Sequence, residues 1–191
     1  MKILFAWHAS VEPEYQKVFQ ELVMLGLDIW ALMPAAWTEG GQLQRPTERP
    51  DGSYRTLLQP VIFRDRPKRF FYPNFVSIIR AVRFFRPDIV HIFEEPYSLA
   101  CAELAGLSRI FQPGAKIVIQ SFENIAPVHR LSFYHRVEAF VLRRAHAILT
   151  VPREGELLWR QRGFKGPIYH VPVGLDETFS GFERLDKRSI G

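Results

Sequence analysis

A chain of 191 residues, 47% hydrophobic and 14% aromatic, is long enough for one domain with its own core and too apolar for the disordered class. No apolar run approaches the ~20 residues that span a bilayer, and the opening MKILFAWHAS is too short in apolar residues to read as a secretory leader. A net charge of +5 points to an anionic partner without choosing among phosphate, a lipid surface and nucleic acid, and the single Cys101 excludes an internal disulfide and suits a reducing cytoplasm.

Apolar runs alternate with helical patterns along the chain, the signature of a parallel α/β sheet with helices on both faces. The first strand is KILFAW, Lys2 to Trp7. After Pro13, Tyr15, Val18, Phe19 and Leu22 share the face of a helix that Gly26 can stop, and LDIWALM follows as a second strand. Residues 36 to 56, rich in Gly, Pro and charge, read as a loop, with an edge strand at Leu57 to Phe63. Asn74 can cap a helix with Phe75, Ile78, Ile79 and Val82 on one face, ending before Pro87. DIVHIF and AKIVIQSF read as strands around the helix YSLACAELAGLSRIF, in which Cys101 reads as an inert core thiol. A helix over about Ser132 to Ala145 leads into the strand AILTV; the short helix REGELLWRQRG then precedes the strand IYHVPV. No repeat or linker divides the chain.

In an open parallel sheet, ligands bind beyond the carboxyl ends of the strands. The residues that follow the strands are therefore the candidates: His8 and Ser10, Glu94 and Glu95, Glu123 and Asn124, Arg153 and Glu154. The acids have two readings. They are solvated loop carboxylates favoured near a helix start, or cleft carboxylates that accept hydrogen bonds from sugar hydroxyls. His91, His135 and His146 read as structural. A second stretch, FRDRPKRFFYPNFVSIIRAVRFFRP, sets Arg80, Arg83 and an outward-pointing Phe84 on one helix, a pattern suited to an anionic membrane surface or, equally, to packing under the loop at 36 to 56. No G-x-G-x-x-G, G-x-x-x-x-G-K-[ST], H-E-x-x-H or paired cysteine ligands are present, so a Rossmann dehydrogenase, a P-loop kinase and a zinc enzyme lose their support.

RPDIVHIFEEP, RRAHAILTVPREGELLWRQRG and IYHVPVGLDETF, with Gly174 and Asp176 the most specific positions, resemble the N-terminal domain of GT-B retaining glycosyltransferases of the family 4-like group. The resemblance implies a Rossmann-like, doubly wound domain over residues 1–174, the start of an interdomain linker over 175–191, and a donor domain beyond Gly191. It further implies transfer from a nucleotide-sugar, bound mainly by that other domain, to a glycan or lipid-linked acceptor, with no metal and no other cofactor. The chain departs from the family after the first strand, where HASVEPEYQ lacks the paired glycines, and after IVIQSF, where Glu123 and Asn124 stand in place of a histidine. The expected location is cytoplasmic, including peripheral attachment at the inner face of a membrane. A non-catalytic binding module for a sugar or phosphorylated metabolite is the alternative; nucleic-acid binding ranks third, because no recognition module is visible.

Overall fold

The computed structural model describes residues 1–46, 52–123 and 133–172. Seven strands form one sheet in the order β5 (Arg55–Gln59), β2 (Asp28–Pro34), β1 (Lys2–Ala6), β6 (Ile89–Ile92), β7 (Lys116–Ser121), β8 (Ala147–Thr150) and β9 (Ile168–His170). Every neighbouring pair in it is parallel. The chain starts in the middle at β1, moves outward through β2 to the edge strand β5, then crosses back to β6 on the other side of β1. The order reverses there, so the carboxyl ends of β1 and β6 flank a crevice.

Period two decides which side chains meet which layer. Ile3, Phe5 and Trp7 of β1 and its extension face α1 (Pro13–Met24), which buries Phe19 among them. Leu4 and Ala6 face the opposite layer. That layer is built by α2 (Phe75–Phe85), α3 (Leu99–Phe111), α4 (Phe133–Leu142) and α5 (Gly155–Gln161), which bury Ile78, Leu104, Val141 and Trp159 in one continuous core. Asn74 caps α2 by accepting from the Ser77 amide, and Ser98 caps α3 by accepting from the Cys101 amide. Cys101 is buried, and burial pushes its thiol well above the ordinary pKa. His146 accepts from the Ile117 amide, His91 is held neutral by burial with a pKa of about 4, and His135 is exposed.

Four sequence expectations shift. Residues 36 to 56 do not form a plain loop: Trp37–Glu39 (β3) and Gln42–Gln44 (β4) pair as an antiparallel hairpin. The cause is Gly40–Gly41, whose φ values of 55° and 81° supply the two left-handed residues of a tight turn. The edge strand β5 lies two residues earlier than expected and stops at Gln59, because Pro60 has no amide to continue the ladder. On α1 the buried side is centred on Gln16 and Phe19, with Tyr15 and Val18 exposed; Gln16 is drawn inward by donating to the Ser10 carbonyl and accepting from Tyr54. Phe75 is exposed at the start of α2 instead of sharing the face of Ile78 and Val82. Asn124, Gly174, Asp176 and the expected linker lie outside the described residues.

Candidate functional site

Trp7, Phe93 and Phe122 each follow immediately on the last residue of β1, β6 and β7. Pleat alternation places all three on the α1 side of the sheet, and their rings form a row. Trp7 stacks on Phe93 with centroids 4.4 Å apart, Phe93 stacks on Phe122 at 4.9 Å, and Tyr15 of α1 extends the row beyond Trp7 at 4.9 Å. The next residue after each of these strand-end aromatics is polar and belongs to the opposite side: His8, Glu94 and Glu123.

His8 opens a short 3-10 turn, His8–Val11, and is held by Glu94. The His8 amide donates to Oε1 at 2.7 Å, and the ring Nδ1 lies 2.8 and 2.7 Å from Oε1 and Oε2. Glu94 is 5% exposed and therefore not a solvated loop acid. Trp37 of the hairpin and Phe70 enclose the imidazole, with centroids 4.6 and 5.5 Å from it. Burial works against a charged His8, but the charge and hydrogen bonds of Glu94, aided by Glu39 and Glu95, outweigh it and raise its pKa above the ordinary value. With Nδ1 committed to a carboxylate, the neutral ring offers Nε2 as an acceptor and the protonated ring offers it as a donor.

Glu95 turns toward β7. Its carboxylate accepts from Ser121 Oγ at 2.6 Å and from the Phe122 amide at 2.9 Å. Ser121 Oγ in turn accepts from the Glu123 amide at 3.0 Å, and the Glu123 carboxylate accepts from the Tyr97 hydroxyl at 2.8 Å. Burial raises the Glu95 pKa to about 7; the Ser121 and Phe122 hydrogen bonds pull it down, and the charges of Glu123 and Glu94 push it further up. Burial, then Glu95, raises the Tyr97 phenol.

These groups line a cleft of about 240 Å³ that runs from Pro67 and Lys68, past His8, Glu94 and Glu95, to Gln120 and Phe122. The 60–73 segment forms its rim and is pinned from three sides. The Leu99 amide donates to the Lys68 carbonyl at 3.2 Å, Tyr72 donates its amide to Glu103 at 2.9 Å, and the Thr38 amide donates to the Arg64 carbonyl at 2.9 Å. Lys68 Nζ lies 5.2 Å from the centre of the Tyr97 ring.

Of the residues singled out in sequence, His8, Glu94 and Glu95 line the cleft, and Glu123 reaches it through Tyr97. Ser10 does not line it: the side chain is fully buried and donates to the Trp7 carbonyl at 2.6 Å, because the 3-10 turn folds it inward. Arg153 and Glu154 are exposed at the start of α5, beyond β8, and are absent from the lining. Sequence reasoning passed over Trp7, Phe93 and Phe122 by treating them as strand ends. The signal was present, since three central strands each close with an aromatic followed by His or Glu. No group of His, Cys, Asp and Glu among the described residues could hold a metal ion.

No family model and no curated protein matches the chain in sequence. Solved structures match it in shape. A sucrose-phosphate synthase from Thermosynechococcus elongatus superposes with a TM-score of 0.59 at 14% identity, over 92% of this chain and 91% of that one. The match shows the fold alone: a Rossmann-like, doubly wound α/β domain shaped as one half of a GT-B fold. An alpha-glucosyltransferase solved with UDP and a mismatch-containing DNA gives 0.50 at 11% identity, the GT-B half covering 88% of its own length and 40% of that chain. MurG from Acinetobacter baumannii gives 0.46 at 15% identity, over 80% of this chain and 42% of that one. The chain thus spans less than half the length of the alpha-glucosyltransferase.

Proposed function

We propose that this domain, residues 1–174, is the acceptor-side half of a retaining glycosyltransferase. It carries a glycan or lipid-linked acceptor to a nucleotide-sugar held mainly by a second domain outside these 191 residues. The observation that carries the reading is the meeting of His8, Glu94 and Glu95 where β1 and β6 flank the switch in strand order. Sugar transfer asks for positioning and exclusion of water more than for covalent help from this half. Carboxyl oxygens accept from acceptor hydroxyls, and His8 Nε2 fixes a further hydroxyl while Glu94 fixes the ring.

The turn after β1 supports a donor held elsewhere. A diphosphate needs free backbone amides. Here the His8 amide goes to Glu94, those of Ser10, Glu12 and Tyr15 go to the carbonyls of Trp7, Ala9 and Glu12, and Pro13 has none. Titrating the 15N-labelled chain with mono- and disaccharides tests the reading. Amide shifts confined to residues 7–9, 93–97 and 121–123 support it; shifts elsewhere, or none, overturn it. The retaining course rests on the family resemblance and is checked by the anomeric configuration of the product made by the full natural chain.

A peripheral position at the inner face of a membrane, in the cytoplasm, belongs to the same proposal. Phe84 is 76% exposed on α2 beside Arg80 and Arg83, although its ring also lies 6.1 Å from that of Trp30. Among the described residues no helix is long and apolar enough to cross a membrane.

A further inference from the structure

The row Tyr15, Trp7, Phe93, Phe122 goes beyond what a core requires. Its inner members, Trp7 and Phe93, are buried and fix the plane of the stack, yet the outer members stay half open: Tyr15 is 45% exposed and Phe122 48%. Aromatic side chains left at a cleft wall, locked by neighbours, offer flat apolar area at little entropic cost. The polar groups beside the row are specific in what they accept. The Phe122 amide is bonded to Glu95, so ring and carboxylate are neighbours along the same wall. Glu94 and Glu95 bring two acids to the cleft, and among the described residues that line it Lys68 is the one lysine or arginine, with His8 already paired to Glu94. A ligand here needs an apolar face for the rings and donating hydroxyls for the acids, and a negative charge on it meets Glu94 and, above about pH 7, an ionised Glu95.

We propose that the Phe122 end of this row is a stacking shelf for an uncharged hexopyranose unit of the acceptor. Its C–H face lies on the ring and a hydroxyl donates to Glu95. The inference rests on the acceptor-side reading above and narrows it to neutral sugars, against sugar phosphates and uronic acids. An exposed ring at the negative end of its quadrupole attracts the weakly positive C–H groups of a pyranose, a contact that an aliphatic side chain of similar size does not reproduce.

Saturation-transfer NMR on the 191-residue chain tests it with methyl glucoside, galactoside, mannoside and N-acetylglucosaminide, glucose 6-phosphate and glucuronate as probes. At least one neutral glycoside is expected to bind and to receive its strongest transfer on ring C–H protons. Phe122→Leu should weaken that glycoside by about fivefold, as expected for loss of one aromatic contact, and Phe122→Trp should keep it. Glucose 6-phosphate and glucuronate should bind more weakly than the neutral sugar. If Phe122→Leu changes nothing while Glu95→Gln abolishes binding, or if a charged sugar binds as tightly as a neutral one, the shelf is overturned and the acceptor-side reading stands. If no glycoside binds, both fall.

Discussion

Glu94 holds His8 at both its backbone and its ring, through the amide at 2.7 Å and Nδ1 at 2.7 and 2.8 Å. A single carboxylate thereby joins the carboxyl end of β1 to that of β6 and sets the ring orientation. Removing it strands a buried amide and a ring nitrogen. Glu94→Ala should cost about 2 to 4 kcal/mol in chemical denaturation, and Glu94→Gln, which keeps an acceptor, roughly half of that. A loss below about 1 kcal/mol for the alanine variant would return Glu94 to the class of ordinary surface acids.

Glu95 makes stability depend on pH. Its pKa rises on folding from 4.5 to about 7, so the stability it contributes is complete below pH 4.5 and is lost as pH climbs through about 7. His91 works in the opposite sense: its pKa falls from 6.5 to about 4, and its contribution is complete above 6.5 and lost as pH drops through 4. The two overlap, so the informative quantity is the difference between wild type and Glu95→Gln. Between pH 4.5 and 7 wild type should lose of order 2 kcal/mol relative to the variant, the full shift being discounted because the carboxyl is partly exposed. Parallel profiles would remove Glu95 as a titrating group in this range.

Gly155 allows the start of α5 to press against β8. A Cβ there would fall on the Thr150 side chain, 2.9 Å from its Cβ and closer still to its Oγ1, and 3.4 Å from the Glu123 carbonyl. Gly155→Ala should therefore destabilise by about 1 to 3 kcal/mol, although alanine is the better helix former, and Thr150→Ala in the same chain should restore part of the loss. Thermal melts of the single and double variants check it; a neutral Gly155→Ala would show that α5 shifts freely.

Calorimetry with UDP-, GDP- and ADP-sugars should give no dissociation constant tighter than about 1 mM for the 191-residue chain, because the amides of His8, Ser10, Glu12 and Tyr15 after β1 are already bonded and Pro13 has none. Low-micromolar binding would make this domain a donor site in its own right.

Flotation with vesicles tests the face of α2. Binding to anionic vesicles that neutral vesicles do not share, weakened by Arg80→Ala with Arg83→Ala by of order 1 kcal/mol per charge, is the expected result. Equal binding to both vesicle types, or to neither, would remove the membrane from the proposal.

The order of the sheet elements and the place of the cleft were legible because they follow from period and position: apolar runs of strand length, Asn74 as a cap, and acids directly after DIVHIF. What escaped depended on tertiary neighbours. Gln16 faces inward only because Ser10 and Tyr54 offer partners there, and Ser10 is lost to the site only because its turn closes on Trp7. The hairpin was readable from EGGQ, whose two glycines give the turn, but its strands are three residues each and carry little alternation. Glu94 looked the same as Glu95 in sequence; the fold sends one to His8 and the other to Ser121.

The hairpin also has two ends with different tolerance to change. Trp37 at its base is buried against His8, while Gly40 and Gly41 at its tip have open space around them. Residues inserted at the tip would extend toward solvent and away from Trp37, the sheet and the His8–Glu94 pair, whereas a side chain put directly on Gly40 or Gly41 would strain the left-handed turn. The tip of the hairpin can thus change in length while the buried base that packs on His8 stays in place.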